Sequence, residues 1–343
     1  MTFADDRSVT MEALKRALPY VRLFKNRIFV VKVGGAPCGD AARLKDLAEQ
    51  LCVVRELGIN VVLVHGGGPQ TSELSRKLGV EPRIVEGRRV TDAGALEIAV
   101  LTMNGAVNTG VLAACRAVGL LAVGVSGLDA GLVRARRRAP RSVIVDGVPQ
   151  TVDFGQVGDV ESVDPTLLRN LLAAGYLPVV SPLSADGQGN VLNINADTVA
   201  AALACSLCAE KLVFVSDVPG ILEEKNDPSS LVSSTDLAGL EALVESGSVA
   251  TGMLPKVSAI RMALENGVKR VHVIGSGRAS LLTEIFTNEG SGTLVVRDPR
   301  DLSPAEHAAG GEAPAGEDGR RLARSHAVGT VAPPGRELEE GSS

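Results

Sequence analysis

Two lysines stand in unusual company. Lys32 lies inside VVKVGG, flanked by valines and followed by Gly34 and Gly35, and Lys256 closes TGMLPK. An ammonium group among valines is costly to bury without an anion or an acidic partner, so Lys32 reads as a functional cation. Lys256 taken alone is as readily a surface lysine. A third candidate, Asp197 in NINADTVAAALA, precedes an apolar helix; there it can cap the first turn, and it can also hold two lysines in place. The chemistry that asks for such a set is phosphoryl transfer. The transferred group needs little covalent help, but its equatorial oxygens need cations and backbone N–H donors around them.

Glycine supplies the donors. VVLVHGGGPQ (61–70) places Gly66, Gly67 and Gly68 directly after an apolar run, as Gly34 and Gly35 follow the first one. Glycine lets backbone approach a ligand closely, and a following helix start offers N–H groups and positive dipole charge. Neither turn is GxGxxG or GxxxxGK[ST], so a nicotinamide-binding Rossmann domain and a P-loop kinase are disfavoured. Taken alone, GGG is equally a tight turn; beside the lysines it reads as one wall of a phosphate site. His65 reads as a packing or hydrogen-bonding residue rather than a catalytic one.

The elements that must position these residues repeat one pattern. IFVVKVGGA (28–36), INVVLVHGGG (59–68), KLVFVSDVPG (211–220) and RVHVIGSG (270–277) are apolar, β-branched runs ending in glycine-bearing turns. Continuous apolar strands suit a parallel sheet covered on both faces. Helix-length segments lie between them, such as 40–58, which stops at Gly58, and 164–175, with Asp164 as N-cap and Pro165 at its first position. The alternation predicts a three-layer α/β/α sandwich around a mainly parallel sheet. Residues 132–160 carry short β-type runs broken by Pro and Gly, read as hairpins, and the RARRR run there reads as a solvated face.

Composition narrows the function classes. The 343 residues are 45% hydrophobic, enough for a sizeable core, and carry a net charge of −5 with 2% aromatics and no tryptophan. Acidity and the lack of stacking rings argue against nucleic acid. No apolar run approaches the ~18 residues of a membrane span and no secretory signal is evident, so a cytoplasmic location is expected. Five scattered cysteines form no disulfide framework, and the Cys205/Cys208 CxxC, set in an alanine-rich helix, reads as core packing rather than a metal site. The stretch 10–25 has Met11, Leu14, Leu18 and Val21 on one stripe with Pro19 as a kink, which suggests a partner subunit. Residues 298–343 read as a disordered tail.

In the order KVGGA, VHGGGPQ, GRRVTD, NINADTVA, SDVPGIL and TGMLPK, the chain resembles the amino-acid kinase superfamily, and within it the acetylglutamate kinases of arginine biosynthesis, over about residues 11–297. The resemblance implies ATP-dependent phosphorylation of the γ-carboxylate of N-acetyl-L-glutamate, with Mg²⁺ carried by the nucleotide. It implies Lys32 and Lys256 as catalytic cations and Asp197 as their organiser. Acceptor contacts fall on Gly66, Gly67, Arg89 and Asn193, with Arg89 as a two-pronged partner for the α-carboxylate. Nucleotide contacts fall on Gly34, Gly35, Ser216, Asp217, Thr251, Gly252 and Met253. Residues 27–180 would then form the acceptor lobe and 181–297 the nucleotide lobe. The segment 1–26 is similar to the kinked helix that joins dimers into a homohexamer, and LLTEIFTNEGSGT (281–293) to the region that binds arginine as a feedback effector. Leu128 and Ala130 stand where the family commonly has lysine and glycine, and Ala279 where it has histidine. An aminoadipate-type acceptor and a non-catalytic amino-acid sensor are the alternative readings.

Overall fold

The chain enters its first strand, β1 (Ile28–Val33), from a helix α1 (residues 17–24), and leaves it into the short helix α2 (Gly35–Gly39). The computed structural model describes residue 15 and residues 17–301, apart from 86–87, 146–147, 225–226, 250, 279 and 287–289, and all of these fall in one unit. Helix α3 (Ala41–Glu56), β2 (Asn60–His65) and α4 (Gly68–Lys77) follow, then a small hairpin of β3 (Ile84–Val85) and β4 (Arg88–Arg89). A long helix comes next in three parts: α5 (Ala93–Val100), a π-helical stretch (Leu101–Val107) and α6 (Asn108–Ala117). β5 (Ala122–Ser126) leads into β6 (Val133–Arg137), β7 (Arg141–Val145), β8 (Val148–Val152) and β9 (Gly158–Val163). Then run α7 (Thr166–Ala173), β10 (Leu177–Ser181), β11 (Leu183–Ala185), β12 (Val191–Asn193), α8 (Ala196–Ser206) and β13 (Lys211–Ser216). The last elements are β14 (Ser234–Asp236), α9 (Leu237–Glu245), α10 (Leu254–Glu265), β15 (Arg270–Gly275), α11 (Ser280–Phe286) and β16 (Thr293–Val296).

Eight strands form one sheet in the order β14-β16-β15-β13-β1-β2-β10-β5, parallel throughout except where β15 meets β16. The four repeated segments are β1, β2, β13 and β15, and they are neighbours at its centre. Their glycine turns therefore leave the sheet at one edge, where ligands of parallel α/β sheets bind. The two faces of β1 have different company. Phe29, Val31 and Val33 join Val61 and Leu63 in a core shared with α3, α6, α11 and Phe24 of α1. Lys32 points to the opposite face, toward α8.

Several local expectations shift. Gly58 and Gly175 sit at positive φ, as helix stops should, but α7 begins at Thr166, so that Pro165 precedes it while Asp164 still accepts from Thr166 N at 3.0 Å. The middle segment forms the predicted antiparallel pairs, β6 with β9 and β7 with β8. Three of its arginines are paired with carboxylates: Arg134 with Glu161, Arg137 with Asp153, Arg138 with Asp159. Cys205 is half-buried, whereas Cys208 lies exposed beyond the helix end, so packing explains only the first. Residues 93–117 make a helix long and apolar enough to span a membrane by length and composition alone. Glu97, Asn104 and Asn108 break it up in the sequence, and Val107, Val111 and Cys115 bury it against the core. Of the N-terminal stripe, Met11 and Leu14 lie outside the described residues, and Leu18 is 46% exposed. Residues 299–301 form a 3₁₀ turn rather than the start of a tail, with Asp301 O accepting from Arg270; 302–343 lie outside the described residues.

Candidate active site

Three elements meet beneath the glycine edge. Lys32 comes from β1, Asp197 from the first turn of α8 and Lys256 from the first turn of α10, and all three are buried. Both ammonium groups reach the same carboxylate oxygen: Lys32 Nζ is 2.8 Å and Lys256 Nζ 3.2 Å from Asp197 Oδ1. Asp197 is free for this because Asn195, not Asp197, caps α8, its Oδ1 accepting from the N–H groups of residues 197 and 198. Capping was the competing reading of Asp197, and the residue two positions earlier takes it. Lys256 also lies 4.5 Å from the centre of the Phe214 ring, on the strand beside Lys32. Burial, and after it repulsion from Lys32, brings the Lys256 ammonium down to about 8. Burial works to raise the Asp197 carboxyl, but the two lysines outweigh it and hold it below its ordinary value. The cluster thus carries one positive charge more than its own carboxylate balances, a buried arrangement completed by an anion.

The glycine turns contribute unequally. The N–H of Gly34 donates to Val215 O and that of Gly66 to Val33 O, so both already extend the sheet. The N–H groups of Gly35 and Gly67 have no such backbone partner among the described residues. Any side chain at Gly35 would strike Pro69, its Cβ coming 2.6 Å from the Pro69 ring, so glycine there is what lets the two turns close on each other. Gln70, which sequence reading passed over, ties them together by donating to Gly35 O.

The remaining expected residues gather in two groups. Arg89 on β4 reaches back to α4, donating to Gly68 O at 3.1 Å and Ser72 Oγ at 2.5 Å. Asn193, at the end of β12, touches Thr91 Oγ1 at 3.4 Å, two residues beyond Arg89. On the other side of β1, Ser216 ends β13 and Asp217 is near enough to raise Lys256. Thr251–Met253 form the 3₁₀ turn that runs into α10. Leu128 and Ala130 lie in the turn after β5, where Ala130 takes φ 52°, a conformation that favours glycine. Ala279 is outside the described residues. Among the described residues no group of three His, Cys, Asp or Glu is placed to hold a metal ion.

A second buried polar cluster lies at the opposite end of the sheet. His272 Nδ1 is 2.6 Å from Glu284 Oε1, and its Nε2 is 3.2 Å from Lys211 Nζ. Lys211 lies 4.9 Å from the Phe24 ring of α1. Glu284 also accepts from the N–H groups of Ser291 and Gly292. Burial raises its carboxyl, but His272 and these donors prevail and bring it to about 2.

A glycine-edged parallel sheet with two lysines on one aspartate defines a class of phosphoryl-transfer proteins, and residues 27–275 match the Amino acid kinase family. The chain belongs to that family. It is 46% identical to the acetylglutamate kinase of Myxococcus xanthus over 83% of its own length and 94% of that protein's, and 44% identical to that of Symbiobacterium thermophilum over 83% and 96%. It belongs with them to the acetylglutamate kinases. Among solved structures, the N-acetylglutamate synthase from Neisseria gonorrhoeae complexed with coenzyme A and N-acetyl-glutamate superposes with a TM-score of 0.72 at 28% identity, covering 84% of this chain and 63% of the synthase chain. Carbamate kinase from Giardia lamblia shares the fold at a TM-score of 0.56 and 18% identity, covering 80% and 99% of the two chains.

Proposed function

We propose that the protein moves the γ-phosphoryl group of ATP to the γ-carboxylate of N-acetyl-L-glutamate, as a step of arginine biosynthesis. The observation that carries this is the pair of buried lysines on one oxygen of Asp197, over-balanced in positive charge, at the end of β1. An oxygen of the acceptor carboxylate bonds to phosphorus while the bond to the bridging oxygen breaks, and ADP leaves with the electron pair. The acceptor is ionised at neutral pH, so no base is needed. Lys32 and Lys256 offset the charge on the phosphoryl oxygens, and Asp197 holds the two cations at a fixed separation despite their repulsion. Mg²⁺ enters with the nucleotide; Asp197 is committed to its lysines.

Arg89, Asn193, Gly66 and Gly67 serve the acceptor, with Arg89 exchanging Ser72 for the α-carboxylate and Gly67 lying where acceptor and transferred phosphoryl meet. Gly34, Gly35, Ser216, Asp217 and the 251–253 turn serve ATP. The protein works in the cytoplasm, as a homohexamer built through residues 1–26, with arginine as inhibitor bound near residues 281–293. Leu128 and Ala130, in the turn after β5, are the positions on which the second reading turns, an aminoadipate-type acceptor.

ADP release is the test, measured with ATP and Mg²⁺ over a panel of acceptors, with hydroxylamine trapping the acyl phosphate. Turnover is expected with N-acetyl-L-glutamate; preference for the aminoadipate derivative installs the second reading, and silence with every carboxylate removes both. Arginine is expected to slow the reaction while the sedimentation coefficient remains that of a ring.

A further inference from the structure

His65 ends β2 with its side chain fully buried, on the face of the sheet turned toward α6 and away from Lys32. Its Nδ1 lies 2.9 Å from Gly66 O, and its Nε2 lies 3.1 Å from Asn108 Nδ2 at the start of α6. The same Asn108 nitrogen approaches Val179 O at 3.4 Å. A backbone carbonyl can only accept, so the Asn108 atom between them is the NH₂ group, and it must donate to His65 Nε2 as well. Nε2 then carries a lone pair and Nδ1 the proton, which it donates to Gly66 O. Burial pushes the ring down to about 4, against the pull of the Gly66 carbonyl, so it stays neutral at working pH.

Room for Asn108 is built into β5. A Cβ at Gly124 would come 2.0 Å from Asn108 Oδ1, so only glycine at that position admits the amide. The far side of the turn is fixed too, since Gly67 O accepts from both Thr71 N and Thr71 Oγ1. In a trans peptide the C=O of one residue and the N–H of the next point in opposite directions. With Gly66 O held toward the α6 face, the Gly67 N–H is turned to the other one. That face carries Lys32, Asp197 and Lys256.

We infer that His65 is a positioning residue: held in one tautomer by Asn108, it fixes the Gly66–Gly67 peptide so that the Gly67 N–H is aimed at the phosphoryl being transferred. It touches neither substrate. The inference rests on the kinase reading proposed above, and it deepens that reading by assigning the orientation of the second glycine turn to a side chain beneath it.

Substitutions separate the two ring nitrogens. His65→Asn places an amide N–H near the Nδ1 position and keeps the bond to Gly66; His65→Gln places it near Nε2 and loses that bond. In His65→Gln, kcat is expected to fall about 100-fold, the loss that follows removal of one oriented donor, with KM for ATP shifted less than about threefold. His65→Asn is expected to recover most of that loss, and the melting temperatures of both variants are compared alongside. Equal losses in the two variants, tracking a common drop in melting temperature, would mean a purely structural role and overturn the inference, as would an undiminished kcat in His65→Gln. A second measurement does not depend on activity: ¹⁵N-histidine spectra of the intact protein should show His65 protonated at Nδ1 and bare at Nε2 from pH 6 to 8. The reverse tautomer sinks the inference even if the protein proves an active kinase. Wild-type inactivity with the expected tautomer sinks the kinase reading and, with it, the target assigned to the Gly67 N–H.

Discussion

Asp197 takes two cations on one oxygen, an arrangement unfavourable enough by itself that the site is only complete with an anion present. On the proposed chemistry, Lys32→Ala lowers kcat at least about 100-fold, since a charge-stabilising donor in such a site supplies roughly 3 kcal/mol. The fold survives because Lys256 still pairs with Asp197. A steady-state assay beside a melting curve checks both halves of that statement. The pH dependence follows from Lys256, whose ammonium is brought to about 8. Its protonated form is the useful one, so kcat/KM is expected to hold below pH 8 and decline above it. Bound ATP adds negative charge and moves the same limb of kcat to higher pH, which pH profiles of the two parameters would separate. Lys32 was legible because valines surround it in the sequence. Asn108 was not: its partner His65 lies 43 positions away, and nothing local marks an asparagine in an apolar helix as the donor that sets a tautomer.

Among the elements, the strands were the easiest to read, because a strand buried on both faces writes itself as an unbroken apolar run. The helix ends were harder. Asn195 and Asp197 are both good caps, and only the packed structure shows which one turns inward to the lysines. The π-helical stretch also left no sequence trace, yet it supplies Met103, whose Cγ a Cβ on Gly67 would approach to 3.0 Å, and Asn104, which meets Ser181 at the end of β10. The turn after β5 offers a test at this scale. Ala130 holds φ 52°, which costs a residue with a Cβ roughly 1–2 kcal/mol, partly offset by its stiffer unfolded chain. Ala130→Gly is therefore expected to be neutral to stabilising by about 1 kcal/mol in a denaturant titration, and a clear destabilisation would mean that its methyl group packs usefully.

Over the whole molecule, part of the acid limb of stability should trace to the cluster at the far end of the sheet. Glu284 falls from an ordinary 4.5 to about 2 on folding, so its contribution is complete above pH 4.5 and is lost as pH falls toward 2. It amounts to on the order of 3 kcal/mol. Glu284→Gln is expected to flatten that limb in pH-dependent unfolding; an unchanged limb would place the acid sensitivity elsewhere. Composition and charge argued against nucleic acid without pointing to this cluster, because Lys211 stands 61 positions from His272 in the chain and the adjacency of β13 and β15 is what brings the two together.

That register has a geometric consequence. β1 is hydrogen-bonded to β2 on one side and β13 on the other, so the Gly66–Gly67 turn assigned to the acceptor and the Ser216–Asp217 turn assigned to ATP leave the sheet a single strand to either side of Lys32. Strands lie about 4.8 Å apart, which sets the two turns roughly 10 Å from each other with the lysine midway. The ladder of backbone hydrogen bonds acts as a ruler for the reaction. It measures out the gap that the phosphoryl group must cross, and side-chain repacking in the core leaves its graduations where they are.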